Sequence, residues 1–266
     1  DLMGVPSQGP SFVLLPLTAA LVFVLVIAAG RGLRAIYRRV TALLGRWIGP
    51  RPARALSMIV VTLGAWLFIS GVLLDGLAWV ADQAFAVRND TTEDGVQKPT
   101  SGLRSGGPGS LVPWESLGRQ GRAFTAGGPS VEDIGAFTGT EAIEPIRIFA
   151  GTVSAEDAEE RAELAGRDLE RAGGFDRSNL LVVKTTGGDS AIVAIQYSYL
   201  PSWLSYVVHQ ERAREAGREL FDAVYEQWSA LPADDRPRLL VFGESLGSFG
   251  GETAFSGEFD MAKRVD

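Results

Sequence analysis

The sequence predicts an α/β protein in which two transmembrane helices precede a domain built on a mostly parallel sheet. Three observations lead to this fold class. Two long, almost uncharged apolar runs lie near the N-terminus. From residue 141 onward, short apolar strands alternate with amphipathic helices, a pattern typical of a parallel sheet covered by helices. A Gly-x-Ser-x-Gly motif directly follows the last of these strands.

The transmembrane region is predicted to cover residues 1–87, with spans at about 12–29 and 58–79. A helix of about 20 apolar residues crosses the hydrocarbon core of a bilayer. A signal peptide is the competing interpretation of the first run, and it is disfavoured because no basic residue precedes the run. Asp75 lies near the end of the second run, where an interfacial carboxylate is favoured over an intramembrane functional one.

The segment 31–56 between the two spans is predicted to be a basic cytoplasmic loop, because loops rich in Lys and Arg stay on the cytoplasmic side. It contains no acid and seven arginines: Arg31, Arg34, Arg38, Arg39, Arg46, Arg51 and Arg54. Its apolar residues recur at helical spacing, which indicates an amphipathic helix on anionic lipid or a simple topology signal. The prediction is therefore a multi-pass protein of the cell membrane with an extracytoplasmic C-terminal domain.

Charge and composition exclude several classes of partner and site. From Asp82 onward the chain has 30 acids against 18 Lys and Arg, so nucleic acid is not expected as a partner, whereas the lipid bilayer is. The chain contains no cysteine, which excludes disulfides, thiolate metal sites and a cysteine nucleophile. Neither a metal nor a cofactor is predicted.

Residues 88–140 are predicted to form an irregular extracytoplasmic linker, because Gly, Pro, Ser and Thr dominate and no hydrophobic period persists. Arg119 and Arg122 lie beside glycines within this segment. They are interpreted either as holders of an anionic group or, preferably, as part of a solvated basic turn.

The domain predicted at residues 141–266 contains short apolar strands and two long helices. One helix follows an approximate capping box at Ser154 and Asp157 and ends near Gly173; the other covers 210–231. The strands are predicted at 146–150, 180–183, 191–195 and 239–242. Only about seven residues join the second and third strands. Either these two strands form an antiparallel hairpin turning at Gly187-Gly188, or a crossover helix is missing there, which is the preferred interpretation.

The strongest chemical signal is Gly243-Glu244-Ser245-Leu246-Gly247. In a nucleophile elbow, a serine lies on a tight strand-to-helix turn and the following N–H, here that of Leu246, donates to the oxyanion. The alternative is a structural glycine turn. The only histidine, His209, precedes Ser245, contrary to the usual order of serine, acid and histidine, so it is interpreted as a surface or helix-cap residue.

Four stretches resemble a known family: SLVPWESLGRQGRAF, AIVAIQYSYLPSWLS, HQERAREAGRELFDAVYEQW and LLVFGESLGSFGGETAFSG. They are similar to the actinobacterial membrane-anchored α/β-hydrolases, which have a multi-pass N-terminal region and a C-terminal hydrolase domain. The resemblance implies an α/β-hydrolase-like domain truncated at its C-terminus, with Ser245 as nucleophile and its acid and histidine beyond residue 266. It also implies further membrane spans before residue 1.

The resemblance further places the oxyanion-hole loop near Thr186 and Gly187, within a longer family segment that would contain the missing crossover helix. The predicted function is a membrane-anchored extracytoplasmic serine hydrolase of the esterase, lipase or acyltransferase type. Its substrate would be a lipid or cell-envelope acyl ester. The alternatives are a non-catalytic membrane scaffold or binding protein on a degenerate hydrolase fold and, more weakly, lipid transport by the membrane region.

Overall fold

The computed structural model describes residues 14–182, 189–243 and 245–266. The chain divides into two compact units, with the boundary between Leu77 and Ala78. Each unit is described by itself.

The first unit consists of long apolar helices. Helix α1 covers Leu14–Ile48, α2 covers Pro50–Leu67, a π-helical turn covers Phe68–Leu73, and α3 begins at Leu74 and runs to Asn89. Two stretches, Pro16–Ile48 and Pro50–Val72, are long and apolar enough to cross a membrane, and nearly all of their side chains are exposed. Exposed apolar helices of this length suggest membrane association.

The basic segment 31–56, predicted to connect the spans as a loop that contains an amphipathic helix, is helical on both sides of Gly49. Helix α1 continues through Arg31–Arg46, and the chain turns only at Gly49, whose φ of 81° is in the left-handed region that glycine tolerates. Pro50 then starts α2, where its missing N–H costs least. Small side chains let the two helices approach at this corner, since Ala53 is fully buried close to Gly45.

The second unit is an α/β domain with a four-stranded sheet, as predicted. The strands are β1 (Ile146–Ala150), β2 (Asn179–Val182), β3 (Ser190–Ile195) and β4 (Arg238–Val241). The helices that follow α3 are α4 (Gly118–Ala126), α5 (Val131–Thr138), α6 (Ala158–Arg171), α7 (Ser202–Val208), α8 (Gln210–Ala230), α9 (Leu246–Glu252) and α10 (Glu258–Arg264).

All strand pairs in the sheet are parallel, in the order β1-β3-β2-β4. The antiparallel hairpin considered for β2 and β3 is therefore wrong: Leu180 pairs with Ala191 in a parallel register. Residues 183–188, which lie between these strands, are outside the described residues, so the missing crossover helix stays a prediction. Because the strands are parallel, their carboxyl ends lie at one edge, where ligands bind in open α/β sheets.

The core lies between the sheet and the helices α6 and α8. Leu169 of α6 and Val224 of α8 are fully buried against sheet residues such as Ile148, Leu180 and Val193. Each such side chain contributes about 1.5–3 kcal/mol through burial. The continuous apolar strands that the sequence showed are thus covered by helices.

The segment 88–140 is not an irregular linker but an ordered part of the second unit. It contains α4, α5 and a 3₁₀ turn at Trp114–Leu117, and its Val112 and Leu117 are fully buried beside Phe149 of β1. The compact unit that contains the sheet begins at Ala78, before the boundary predicted at residue 141.

A buried carboxylate fixes this segment to α6. Asp168 is fully buried, and its oxygens accept hydrogen bonds from Ser105 Oγ (2.8 Å), Ser110 Oγ (2.9 Å) and Leu111 N (2.8 Å). Arg171 Nε completes the shell at 2.7 Å. A buried carboxylate with four donors is strongly position-specific, because loss of a donor leaves an unpaired charge.

The same segment covers the outer edge of β1. Arg147 donates its backbone N–H to Leu103 O over 3.0 Å, and its carbonyl accepts from Ser105 N over 2.9 Å. Ser105 Oγ also accepts from the Phe149 backbone N–H at 3.0 Å. The chain at 103–105 therefore occupies the backbone groups that an edge strand would otherwise leave free.

Arg119 and Arg122 do not form the solvated turn that was preferred, nor an anion site. Arg122 is buried and donates to the carbonyls of Trp114, Asp90 and Glu115, and Arg119 pairs with Glu93 at 3.1 Å. Their donors hold the segment together internally.

The N-terminal cap of α6 also differs from the prediction. Asp157 caps the helix by accepting from Glu160 N at 2.8 Å, whereas Ser154 Oγ accepts from the Gly151 N–H at the end of β1. Both residues of the approximate capping box are used, but on two different turns.

Replacing Asp168 with Asn should destabilise the protein by about 3 kcal/mol, because Arg171 and the Ser and Leu111 donors lose their charged acceptor. Thermal unfolding of the full chain in detergent measures the effect. Glu163→Gln is the matched control on the same helix, since its ion pair with Arg167 is exposed and worth at most about 1 kcal/mol. Equal melting temperatures for the two variants would contradict the role given to Asp168.

Candidate active site

The elbow predicted at Ser245 lies between β4 and α9. Strand β4 ends at Val241, and Ser245 occupies the N-terminal cap position of α9, which begins at Leu246. Its side chain is exposed, while Leu246 is buried beneath the turn. The turn thus leads directly from the carboxyl edge of the sheet into a helix, as a nucleophile elbow requires.

Ser245 has a strained backbone. Its φ of 55° and ψ of −119° make it the one non-glycine residue with positive φ in the described ranges. Such a conformation costs of order 1–3 kcal/mol for a residue with a Cβ and persists only where the surroundings impose it. In a nucleophile elbow, the serine follows a parallel strand and has a strained backbone of this kind. The turn then presents the serine Oγ above the sheet.

The two glycines of the motif differ in what they do. A Cβ on Gly243 would lie 2.5 Å from the Ser248 backbone nitrogen, so this position has no room for a side chain. At Gly247, by contrast, none of the described atoms outside its own turn lies within 4 Å of an added Cβ. Of these two positions, only Gly243 therefore requires a glycine for steric reasons. Glu244 lies outside the described residues.

Close packing on α8 holds the elbow helix in place. A Cβ on Gly250 would lie 2.6 Å from Ala213 O, and one on Gly217 would lie 3.0 Å from Gly250 Cα. Thr253 Oγ1 adds a 3.0 Å hydrogen bond to the Arg214 carbonyl. The backbones of α8 and α9 are in direct contact at these glycines. Helix α9 therefore cannot move outward to relax the turn without losing its packing against α8.

Ser245 opens into an aromatic cleft. A cavity of about 610 Å³ is lined by Ser202, Trp203, Tyr206, Ser245, Leu246 and Phe249. Tyr206 and Phe249 meet edge to face with their ring centroids 6.0 Å apart, and Trp203 of α7 is 71% exposed. The surface next to the serine is therefore apolar and accessible.

The structure places the other predicted site residues unequally. Leu246 is the first residue of α9, so its N–H has no acceptor within the helix and is free to donate at the elbow. Thr186 and Gly187 lie outside the described residues. His209 is the residue between α7 and α8, and it is not among the described residues that line the cleft.

No general base or metal site is evident near Ser245 in the part of the chain that the structure describes. The cleft lining there contains neither a histidine nor a carboxylate, and no group of three or more His, Asp or Glu side chains converges elsewhere in those ranges. Tyr197, which lies at the same sheet edge, is no substitute, because burial raises its pKa and keeps its hydroxyl protonated.

The sequence did not single out Trp203, Tyr206 and Phe249 as site residues. Trp203 and Tyr206 lie three residues apart on one short helix that starts after Pro201, a spacing that is visible in the sequence. The sequence could not show the contact between Tyr206 and Phe249, because only the fold brings these two residues together.

Ser245→Gly should be more stable than Ser245→Ala by about 1 kcal/mol, because glycine adopts positive φ without strain whereas alanine keeps its Cβ. Thermal unfolding of both variants in detergent measures the difference. A Ser245→Ala protein at least as stable as Ser245→Gly would show that the turn is not strained.

The motif glycines should respond in opposite directions to alanine. Gly243→Ala is expected to cost about 1–3 kcal/mol of stability through the clash with the start of α9. Gly247→Ala is expected to be neutral or to stabilise by up to about 1 kcal/mol, because it replaces a helical glycine in open space. Chemical denaturation followed by tryptophan fluorescence distinguishes the two, and equal losses would contradict the packing at Gly243.

Comparison with known proteins assigns the family. A profile of the α/β-hydrolase family matches residues 146–266, and a profile of the N-terminal region of the same family matches residues 1–129. No curated protein and no solved structure matches the chain. The strand-to-helix turn at Ser245 lies within the first of these matches, and the long apolar helices lie within the second. The chain therefore belongs to the α/β-hydrolase family, with that family's N-terminal region preceding its hydrolase-like domain.

Proposed function

We propose that this protein is a membrane-anchored serine hydrolase whose nucleophile is Ser245. The observation that supports this most strongly is the positive φ of an exposed serine on the turn from β4 to α9. Strained non-glycine residues cluster at functional sites, and a structural turn at this place has no need of a serine. Membership of the α/β-hydrolase family supports the same conclusion.

The proposed reaction is acyl transfer through a covalent intermediate. Ser245 Oγ attacks the carbonyl carbon of an ester as a general base removes the hydroxyl proton. The C–O bond to the leaving alcohol breaks, and the alcohol takes that proton. Water, or a second alcohol, then attacks the acyl-enzyme and releases a carboxylic acid or a new ester. The Leu246 N–H would stabilise the oxyanion, and a second donor near Thr186 and Gly187 is part of the proposal.

The cleft favours an acyl group with an apolar chain. Trp203, Tyr206 and Phe249 present ring surfaces directly beside Ser245. Burying an apolar chain against them stabilises the complex by about 25 cal/mol per Å² of area removed from water. A lipid or another long-chain ester of the cell envelope fits this surface better than a polar ester does.

The proposed location is the outer face of the cell membrane. Seven arginines and no acid lie in the segment 31–56, between the apolar runs at about 12–29 and 58–79, so this segment should stay in the cytoplasm. Two crossings then place the hydrolase-like domain on the opposite side.

A non-catalytic scaffold or binding protein remains the second candidate. One observation favours it: the described lining of the cleft contains no histidine and no carboxylate. Hydrolysis needs a base at Ser245 Oγ, which the proposed mechanism assigns to a histidine paired with an acid.

Labelling of the natural full-length protein with a membrane-impermeant fluorophosphonate tests the hydrolase. We expect intact cells to show labelling that Ser245→Ala abolishes and that Ser229→Ala, at a remote exposed serine of α8, leaves unchanged. A probe with a long alkyl chain should react faster than its methyl analogue, because the chain is buried in the cleft.

Absence of labelling in well-folded protein from either side of the membrane would exclude an activated serine and favour the scaffold. Labelling only in inverted vesicles would keep the nucleophile and overturn the outer location. Equal rates for the long and short probes would contradict the proposed acyl site.

A further inference from the structure

Arg161 is a buried arginine without a partner. It lies in the first turns of α6 and is 8% exposed, and its Nε is fully shielded from solvent. Among the described residues, this Nε has no hydrogen-bond partner. A buried charge without hydrogen bonds is costly, so its presence calls for an explanation.

The other two buried arginines show how this fold normally accommodates such a group. Arg122, 7% exposed, donates to three backbone carbonyls and to Thr92 Oγ1. Arg147, 5% exposed, stacks its guanidinium on the Phe124 ring at 5.8 Å, although its Nε and Nη2 also lack a hydrogen-bond partner among the described residues. In the described structure Arg161 has neither kind of compensation.

Arg161 faces a cavity that contains a second unsatisfied group. The cavity has a volume of about 290 Å³ and is bordered by Thr152, Tyr197, Tyr199 and the start of α6. Thr152 Oγ1 is also buried and has no hydrogen-bond partner among the described residues. Because both residues line this cavity, a single oxyanion bound there would be within reach of both side chains.

The position in the fold is one where ligands bind. Thr152 follows β1 and Tyr197 follows β3, so the cavity lies at the carboxyl edge of the parallel sheet. The start of α6 adds the positive end of a 14-residue helix. The cavity shares no lining residue with the cleft at Ser245.

Acidic residues at the rim limit the charge of the ligand. Glu156, Asp157 and Glu215 line the cavity with exposed side chains, and Arg212 pairs with Asp82 at 3.4 Å. Burial lowers the pKa of Arg161, and the charges of Asp157 and Glu215 oppose that effect from a distance. A ligand with two or more negative charges would be repelled by this rim, whereas a single charge is held by Arg161.

We propose that Arg161 and Thr152 form a binding site for a singly charged oxyanion, a phosphodiester or a carboxylate. The planar guanidinium suits two oxygens of such a group, and the Thr152 hydroxyl adds a third hydrogen bond. The group could belong to a phospholipid headgroup or to a small soluble ester or acid. This site is independent of the proposed hydrolase function.

Titration calorimetry of the full chain in maltoside detergent, which carries no phosphate, tests the proposal. The Ser245→Ala background prevents turnover. We expect glycerophosphoglycerol or acetate to bind more tightly than the dianion glycerol 3-phosphate. Arg161→Met should weaken that binding by roughly 10-fold or more, since charged hydrogen bonds are lost. Thr152→Val should weaken it less, and Arg167→Met, an exposed arginine of the same helix, should not weaken it.

A second readout separates binding from a structural role. Without ligand, Arg161→Met should melt at the same temperature as its parent or higher, because an unpaired buried charge is replaced by an apolar chain. A clear fall in melting temperature would show that Arg161 stabilises the fold instead and would overturn the proposal. So would the absence of binding by either monoanion, or unchanged binding in Arg161→Met.

The source of the ligand follows from one further comparison. Tighter binding of dihexanoyl phosphatidylglycerol than of glycerophosphoglycerol would support a lipid headgroup. Equal binding would support a soluble ligand in the same site.

Discussion

The arrangement of the second unit depends on the buried carboxylate of Asp168. Its donors come from the segment before the sheet and from α6 itself, so one side chain connects elements separated by 57 to 63 residues in sequence. Ser105, one of these donors, also binds the β1 backbone at Phe149. Because α6 is fixed in rotation by this contact, the residue two turns earlier on the same face, Arg161, is also turned inward.

The elbow is held by a different kind of constraint, the contact of backbone with backbone. Gly217 and Gly250 allow α8 and α9 to approach more closely than side chains would permit, and Gly243 has no space for a Cβ. The favourable packing of α9 offsets the strain at Ser245. The two candidate sites at the carboxyl edge therefore depend on different interactions. The cavity at Arg161 depends on the buried hydrogen bonds of Asp168, and the turn at Ser245 depends on close backbone packing at glycines.

The sequence predicted those parts of the fold that follow from local pattern. Continuous apolar runs such as Leu239-Leu-Val gave the strands nearly to the residue, and the Gly-x-Ser-x-Gly motif marked the turn that the structure places after β4. Of the family suggested by four stretches of sequence, membership of the α/β-hydrolases with an N-terminal region is confirmed. The catalytic role of Ser245 and the oxyanion donors stay predictions.

The failures have a common physical cause, which is stabilisation by contacts distant in sequence. Residues 88–140 have the composition of a linker, but donors to Asp168 and the carbonyls around Arg122 fold them onto the domain. Arg161 could not be singled out, because an arginine in so charged a helix has the pattern of a solvated one. The basic segment was predicted to contain an amphipathic helix, but its continuity with the first span was missed, although nothing between Arg31 and Gly49 breaks a helix.

The backbone pairing of residues 103–105 with β1 has a consequence for the behaviour of the protein in crowded surroundings. An uncovered outer strand of five apolar-rich residues would offer a template on which other chains could add strands and aggregate. Here Leu103 and Ser105 already occupy the outward-facing groups of Arg147. The glycine- and serine-rich chain before the sheet thus protects the folded domain from self-association at that edge.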